Sequence, residues 1–102
     1  MLEIRPNCEC CNKDLAVNST QAMICSYECT FCQQCVENIL KNVCPNCGGG
    51  FTFRPIRPST EYRKGLSIKH QFPLIKRTNT SFSQKQISDF AEKIKDIEPE
   101  NR

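Results

Sequence analysis

The chain of 102 residues has few large apolar side chains and no long hydrophobic run. Leu, Ile, Val and Phe are too scarce to build a large core, so we expect one small domain followed by a tail. No stretch of about 18 apolar residues is present, which argues against a membrane-spanning helix. Residues 1–8 also lack the apolar segment of a secretory signal peptide, and this predicts a cytoplasmic protein without membrane association.

Histidine is nearly absent as well, because His70 is the only one. It lies in the tail, away from the cysteines, and no second type of metal ligand accompanies it. A solvated or packed histidine is therefore favoured over a metal ligand. Nothing elsewhere in the chain resembles a catalytic centre, and the sequence predicts a protein that is not an enzyme.

Cysteine, in contrast, is abundant: the chain has nine, all of them between Cys8 and Cys47. A domain of this size usually needs disulfides, a metal or a partner to be stable. Thiols stay reduced in the cytoplasm, and an odd number of cysteines would leave one thiol unpaired in a disulfide framework. Metal binding is therefore favoured over disulfide bonding.

Eight of the nine cysteines form four closely spaced pairs. A Cys-x2-Cys turn places two sulfurs about 2.3 Å from one metal ion, and three of the four pairs have this spacing. Four pairs make two four-thiolate sites for two zinc ions. Such sites leave no open position for water, so both would be structural. The pairs are Cys8 with Cys11, Cys25 with Cys29, Cys32 with Cys35, and Cys44 with Cys47.

The spacing alone leaves two ways of combining these pairs. In a sequential arrangement, the first two pairs share one metal and the last two share the other. In a cross-braced arrangement, the first and third pairs share one metal, and the second and fourth share the other. In the sequential arrangement, each half of the domain would have very little hydrophobic core of its own. The cross-brace would close both halves around one core of Leu15, Ile24, Phe31, Val36, Ile39 and Leu40.

The order and spacing of the pairs resemble the RING-finger superfamily over residues 8–47, with Cys29 where most RING fingers place a histidine. Phe31 before the fifth ligand and Pro45 in the last knuckle also fit that pattern. The resemblance implies a small metal-stabilised α+β domain of the treble-clef type, cross-braced around two zinc ions, with one short helix. It implies two ligand sets: Cys8, Cys11, Cys32 and Cys35 for one ion, and Cys25, Cys29, Cys44 and Cys47 for the other.

Two positions depart from RING ubiquitin ligases. Cys10 stands where these usually carry an aliphatic residue, and Gly48 stands where they often carry Arg or Lys. A role as a ubiquitin-ligase component is therefore disfavoured. Cys10 lies outside the ligand frame, and a spare thiol is favoured over a redox thiol or a substitute ligand. From its first eight residues to the Arg-Pro-x-Arg-Pro exit, the stretch 1–58 resembles a family of short bacterial proteins known only as a domain of unknown function.

The chain is uneven in charge and in organisation. Residues 1–50 carry five acidic and three basic groups, a net of −2, whereas residues 51–102 carry eleven basic and six acidic groups, a net of +5. Two prolines, Pro55 and Pro58, favour an extended exit from the zinc domain, so we place its boundary at residue 58. Residues 59–82 are predicted to form a basic extended linker, in which alternating residues 66–72 could make an edge strand.

Helical periodicity occurs twice. In the zinc domain, apolar residues at helical spacing predict a short helix that starts at Cys35, between short strands at 23–24 and 51–53. Residues 83–98 are predicted to form an amphipathic helix, which begins with a capping box of Ser83 and Gln86. This helix could fold back on the domain, bind a partner or self-associate. The apolar positions are Val36, Ile39, Leu40 and Val43 in the first helix, and Ile87, Phe90, Ile94 and Ile97 in the second.

These features favour a zinc-binding protein-interaction module, an adaptor or regulator whose zinc is purely structural. The alternative is a nucleic-acid-binding protein that uses the basic arm of residues 54–77. This arm has seven basic residues against one acidic residue, with Tyr62 and Phe72 interspersed. Such a segment could follow a phosphate backbone and stack on bases.

Overall fold

The computed structural model, which describes residues 1–102, is an α+β fold of three short strands and two helices. The strands are β1 (Ala22–Ile24), β2 (Thr30–Cys32) and β3 (Thr52–Phe53). They form one antiparallel sheet in the order β2-β1-β3, with Met23 opposite Phe31 on one side and opposite Phe53 on the other. Strands β1 and β3 lie where the sequence predicts short strands.

The first helix begins earlier and ends earlier than the sequence predicts. Its α-helical part, α1, spans Gln33–Cys35 and continues as a π-helical segment, Val36–Leu40. It ends because Lys41 and Asn42 both adopt left-handed backbone conformations, with φ of 53° and 59°. At its other end, the helix starts at Gln33, two residues before the predicted start at Cys35. Val43 is buried, but it lies beyond the helix.

The core lies between the sheet, the first helix and the cysteines. Phe31 and Phe51 make an edge-to-face contact at its centre, with ring centroids 5.4 Å apart. Leu15, Val36 and Leu40 pack around them with the buried cysteines. Ile24 and Ile39, also predicted as core residues, are only half-buried. The core is small, as the composition predicts, and thiols form a large part of it.

Residues 54–82 contain no helix or strand, but they lie along residues 1–53, which we call the first domain. The backbone N–H of Leu74 donates to the carbonyl of Ile4 at 2.9 Å, and that of Thr80 donates to Glu9 at 2.8 Å. The edge strand considered for residues 66–72 does not form. The chain instead makes a turn there, in which the N–H groups of His70 and Gln71 donate to the Ser67 carbonyl. A turn satisfies these groups locally, so they need no neighbouring strand.

The second helix, α2, spans Gln84–Ile94 and folds back on the first domain. Ser83 caps it, and the predicted capping box with Gln86 is present. Ile87 and Ala91 are buried against the π-helical segment. The helix ends before Ile97, which is exposed, and a 3-10 turn follows at Pro99–Asn101. No helix in the chain combines the length and the apolar character needed to cross a membrane.

Candidate metal centre

Four cysteines from two distant parts of the chain converge on one point. The sulfur atoms of Cys8, Cys11, Cys32 and Cys35 all lie within 4.8 Å of one another. Two thiolates bound to one tetrahedral zinc ion at about 2.3 Å would lie about 3.8 Å apart, so small adjustments suffice for a shared ion. The first pair of the sequence frame therefore meets the third pair, as in the cross-braced arrangement.

Local backbone geometry presents these four sulfurs. Cys8 and Cys11 lie on a turn closed by the Asn12 N–H, which donates to the Cys8 carbonyl at 2.8 Å. Asn12 has a positive φ of 65°, which a short polar side chain tolerates. Cys32 ends β2 and Cys35 ends α1, so the sheet and the helix together position the second half of the group.

A second group contains three cysteines, Cys25, Cys44 and Cys47, whose sulfurs also lie within 4.8 Å of one another. The Gly48 N–H donates to the Cys44 carbonyl at 2.7 Å and closes the last knuckle. The N–H groups of Tyr27 and Gly49 donate to the sulfurs of Cys25 and Cys47, each at 3.4 Å. Donors of this kind stabilise negative charge on a thiolate.

Cys29, the fourth cysteine of the sequence frame, lies beside this group but outside its 4.8 Å limit. It is buried, and its sulfur accepts a hydrogen bond from the Asn46 side-chain amide at 3.3 Å. Burial raises the pKa of the Cys29 thiol, and Cys25 is close enough to share a hydrogen bond with it. The Asn46 amide therefore holds Cys29 at the edge of the cluster, next to a sulfur of the group.

Burial makes several of these thiols poor acids. It raises the pKa of Cys8 to about 11, although backbone N–H donors act in the opposite direction. Burial also raises the pKa values of Cys35 and Cys44, and neighbouring cysteines add to the effect. At Cys11, hydrogen bonds from the Lys13 backbone and other cysteines outweigh burial and lower the pKa. A divalent cation would replace the thiol protons and stabilise the closely spaced thiolates.

The two groups fit metal ions by their donor chemistry. A set of four thiolates in a tetrahedral arrangement is typical of structural zinc and also of iron, and it is unsuited to magnesium or calcium. The first group would fill all four positions of a zinc ion. The ion would then link the N-terminal turn to the end of β2 and to the end of α1.

Cys10 belongs to neither group. It is half-buried and packs against the core, between Cys35 and Gln84 of α2. Burial raises the pKa of its thiol, while hydrogen bonds with Cys35 and Gln84 oppose the shift. Its position at the contact between the first domain and α2 accounts for a small side chain there.

Gly48 suits the backbone conformation of the last knuckle. Its φ of +82° disfavours residues with a side chain. A Cβ atom there would make an ordinary contact with the Ile94 side chain of α2, at 3.4 Å, so the preference for glycine comes from the turn. The Arg or Lys that RING ligases often carry at this point would be strained.

Two buried polar residues beside the first group have no signal in the sequence. Glu9 is only 2% exposed, yet it accepts hydrogen bonds from Arg5 at 2.9 Å and from the Thr30 N–H at 2.6 Å. Asn7 is fully buried and exchanges hydrogen bonds with the backbone of Thr78. Both join the N-terminal turn to parts of the chain that are distant in sequence.

Three arginines of the predicted basic arm are bound within the chain. The Arg54 guanidinium is buried and donates to the carbonyls of Arg5 and Ala16 at 2.8 and 3.0 Å. Arg57 donates to the carbonyls of Gln71 and Leu2. Arg77 pairs with Asp14 at 2.6 Å. These arginines hold the tail on the domain.

His70 pairs with Glu61 on the surface and belongs to neither cysteine group. This position fits the sequence interpretation of a solvated histidine. The hydrogen bond with His70 lowers the pKa of the Glu61 carboxyl.

Comparisons with known proteins find relatives for the first half of the chain. The model of a family described as Protein of unknown function (DUF1272) matches residues 1–57. An uncharacterized protein of Rhizobium meliloti (strain 1021) is 55% identical over 64 residues, which is 63% of this chain and 76% of the relative. No solved structure matches the chain.

Proposed function

Since the chain belongs to the DUF1272 family of proteins of unknown function, we propose from its cysteine groups that it is a zinc-binding interaction module. Two structural zinc ions would fix its fold, and the rigid domain would present a surface to a protein partner. The chain would act as an adaptor or regulator and not as an enzyme. The meeting of Cys8 and Cys11 with Cys32 and Cys35 within 4.8 Å carries the proposal.

The same observation supports a RING-like, cross-braced arrangement. The first group combines the first and third pairs, and the second group combines Cys25 with the last pair. The buried Phe31 lies directly before Cys32, and the π-helical segment follows Cys35. Cys29 would complete the second site by joining the ion that its neighbour Cys25 binds, and its sulfur could keep the hydrogen bond from Asn46.

A purely structural role for the zinc follows when each ion has four thiolate ligands, which at the second site requires Cys29. A metal ion with four thiolate ligands has no position for a water nucleophile or for a substrate. Such an ion stabilises a small domain whose core is too weak alone, and contributes about 10–16 kcal/mol in zinc-finger peptides. The proposed function therefore depends on the surface that the metal sites support.

The best candidate for that surface is a groove of about 450 Å³ between the sheet and the first helix. Met23, Val36, Phe51 and Phe53 give it an apolar floor, and Glu37 and Lys41 stand at its edge. The Phe53 side chain is 52% exposed on the edge strand β3. An apolar floor with a charged rim is the usual composition of a protein-binding surface.

The metal part of the proposal is tested by elemental analysis and native mass spectrometry of full-length protein purified under reducing conditions. We expect about two zinc ions per chain. A single ion, or disulfides in freshly isolated protein, would contradict it. A red colour would show iron in place of zinc, which a tetrahedral four-thiolate site also accepts.

The interaction part is tested by pull-down from the native host, with nuclease treatment to remove bridging nucleic acid. Phe53→Ser should abolish capture of a partner that the wild-type chain retains. Tyr27→Ser is the matched control, because Tyr27 is an exposed aromatic residue outside the groove. Equal capture by both variants would exclude the groove as the binding surface.

A further inference from the structure

The first part of the tail forms a closed loop on the surface. The Ile68 N–H donates to the Pro58 carbonyl at 2.9 Å, and the Gln71 side chain donates to the Gly65 carbonyl at 2.8 Å. Ser67 is buried at its centre, with only 2% exposure. These hydrogen bonds fix the backbone of the loop, which carries the exposed side chains. We call residues 58–76 the loop surface.

The loop surface carries an excess of positive charge. Its basic residues Arg63, Lys64, Lys69 and Lys76 are all exposed, and none forms an ion pair within the chain. The only carboxylate of the loop surface, Glu61, is already paired with His70. The arginines bound inside the chain, Arg54, Arg57 and Arg77, flank these free cations and do not contribute to them.

Two aromatic rings accompany these cations. Tyr62 is 81% exposed and Phe72 is 77% exposed, so most of each ring faces solvent. Tyr62 also lines a surface pocket with Val17 and Ile56, but both exposed rings are accessible to a ligand. Tyr62 directly precedes Arg63, and Phe72 lies between Lys69 and Lys76 in the chain.

We infer that the loop surface of residues 58–76 binds single-stranded nucleic acid, with the four free cations on phosphates and the rings of Tyr62 and Phe72 stacked on bases. Charge complementarity selects a polyanion, and flat exposed rings beside the cations select one with aromatic bases. An acidic protein offers the first feature without the second. This inference uses none of the metal ligands and is independent of the proposed adaptor surface.

The competing occupant is an anionic membrane surface, because Ile75 of the loop surface is 91% exposed and could insert among lipids. Nucleic acid is favoured because the free cations extend along the chain from Arg63 to Lys76, with an aromatic ring near each end. Ile75 distinguishes the two occupants: lipid binding would depend on its burial, and base stacking would not.

The test uses the zinc-loaded full chain and fluorescent oligothymidylate or oligouridylate. Affinity should fall with salt by roughly 0.7 log unit per tenfold salt for each neutralised phosphate. Tyr62→Ala and Phe72→Ala should each weaken binding by about 5- to 100-fold, as expected for the loss of one stacked base. Ile75→Ser should leave the affinity unchanged.

Charge is tested with two variants of equal net charge. The first replaces the free cations of the loop surface with glutamine (Arg63→Gln, Lys64→Gln, Lys69→Gln, Lys76→Gln), and it should lose binding. The control replaces four exposed lysines elsewhere (Lys13→Gln, Lys85→Gln, Lys93→Gln, Lys95→Gln), and it should retain most of the affinity. Metal content and circular dichroism of each variant verify folding.

Three results would overturn the inference. The first is the absence of salt-dependent binding to either oligonucleotide at low salt. The second is equal loss of binding in the two glutamine variants, which would indicate only general electrostatic attraction. The third is tighter binding to phosphatidylglycerol vesicles that Ile75→Ser abolishes, which would identify a lipid surface as the occupant.

Discussion

The sulfur atoms of Cys11 and Cys32 lie 3.9 Å apart, although 21 positions separate the two residues in the chain. This separation is close to the roughly 3.8 Å expected for two ligands of one tetrahedral zinc ion. Cys11 lies on the N-terminal turn and Cys32 lies at the end of β2. One ion shared between them would join the start of the chain to the sheet.

Cys32→Ser should therefore remove about one metal ion and unfold much of the domain. Cys32 is only 1% exposed, so serine would also place a hydroxyl group in the core. Metal stoichiometry by native mass spectrometry and secondary structure by circular dichroism give the two readouts. Cys10→Ser is the control, since Cys10 lies in neither cysteine group, and it should keep the full metal content. The opposite ranking would place Cys10 in the ligand set.

Cys29→Ser tests the completion of the second site. We expect the variant to keep one tightly bound ion and to release the second much more readily, because three thiolates would then hold it. Competition with a chromophoric chelator measures the release. Asn46→Ala should not weaken the second ion to the same degree, since that variant keeps all the thiols. Unchanged metal affinity in Cys29→Ser would show that Cys29 is a buried thiol and not a ligand.

The closely spaced cysteine pairs that the structure brings together were predictable from the sequence, because each pair is local. Each Cys-x2-Cys turn brings two sulfurs together with little help from the rest of the chain. The helix cap at Ser83 was predictable for the same reason, as its partner Gln86 is three residues away. The three-residue spacer between Cys25 and Cys29 allows more geometries than the two-residue turn, and it is there that the structure differs from the frame.

The docking of the tail was not predictable in this way. Its contacts join residues that lie far apart in sequence, such as Arg57 with Leu2 and Asn7 with Thr78. Arg54 and Arg57 read as solvated charges in the sequence, yet both donate to backbone carbonyls within the chain. Their partners are carbonyl groups, which every residue carries, so the sequence holds no signal for these contacts.

The buried position of Ile87 predicts that the C-terminal helix stabilises the first domain. Ile87 is 2% exposed and belongs to the core cluster. Ile87→Ala should lower the free energy of unfolding by about 2–5 kcal/mol, as large-to-small core substitutions do. Urea unfolding of the metal-loaded protein measures the change. Ile97→Ala should change it by only about 0.5 kcal/mol, since Ile97 is 42% exposed. Equal effects would show that α2 does not dock in solution.

Arg54 is expected to be structural, in contrast to the free cations of the loop surface. Arg54→Met should leave the Arg5 carbonyl without its donor, which costs about 1–3 kcal/mol, whereas the Ala16 carbonyl keeps the Ser19 N–H as a donor. Arg63→Met removes an exposed charge and should cost about 0.5 kcal/mol or less. Thermal unfolding of the two variants side by side gives the comparison. A larger loss in Arg63→Met would reverse the assignment of these two arginines.

The sharing of ligands between distant pairs is most directly measured by cadmium NMR. Cadmium replaces zinc in four-thiolate sites, and its coupling to cysteine β-protons identifies the residues bound to each ion. We predict that the β-protons of Cys8, Cys11, Cys32 and Cys35 correlate with one cadmium resonance, and those of Cys25, Cys29, Cys44 and Cys47 with a second. Correlation of Cys32 and Cys35 with the same resonance as Cys44 and Cys47 would contradict the cross-braced arrangement and indicate two zinc knuckles in series.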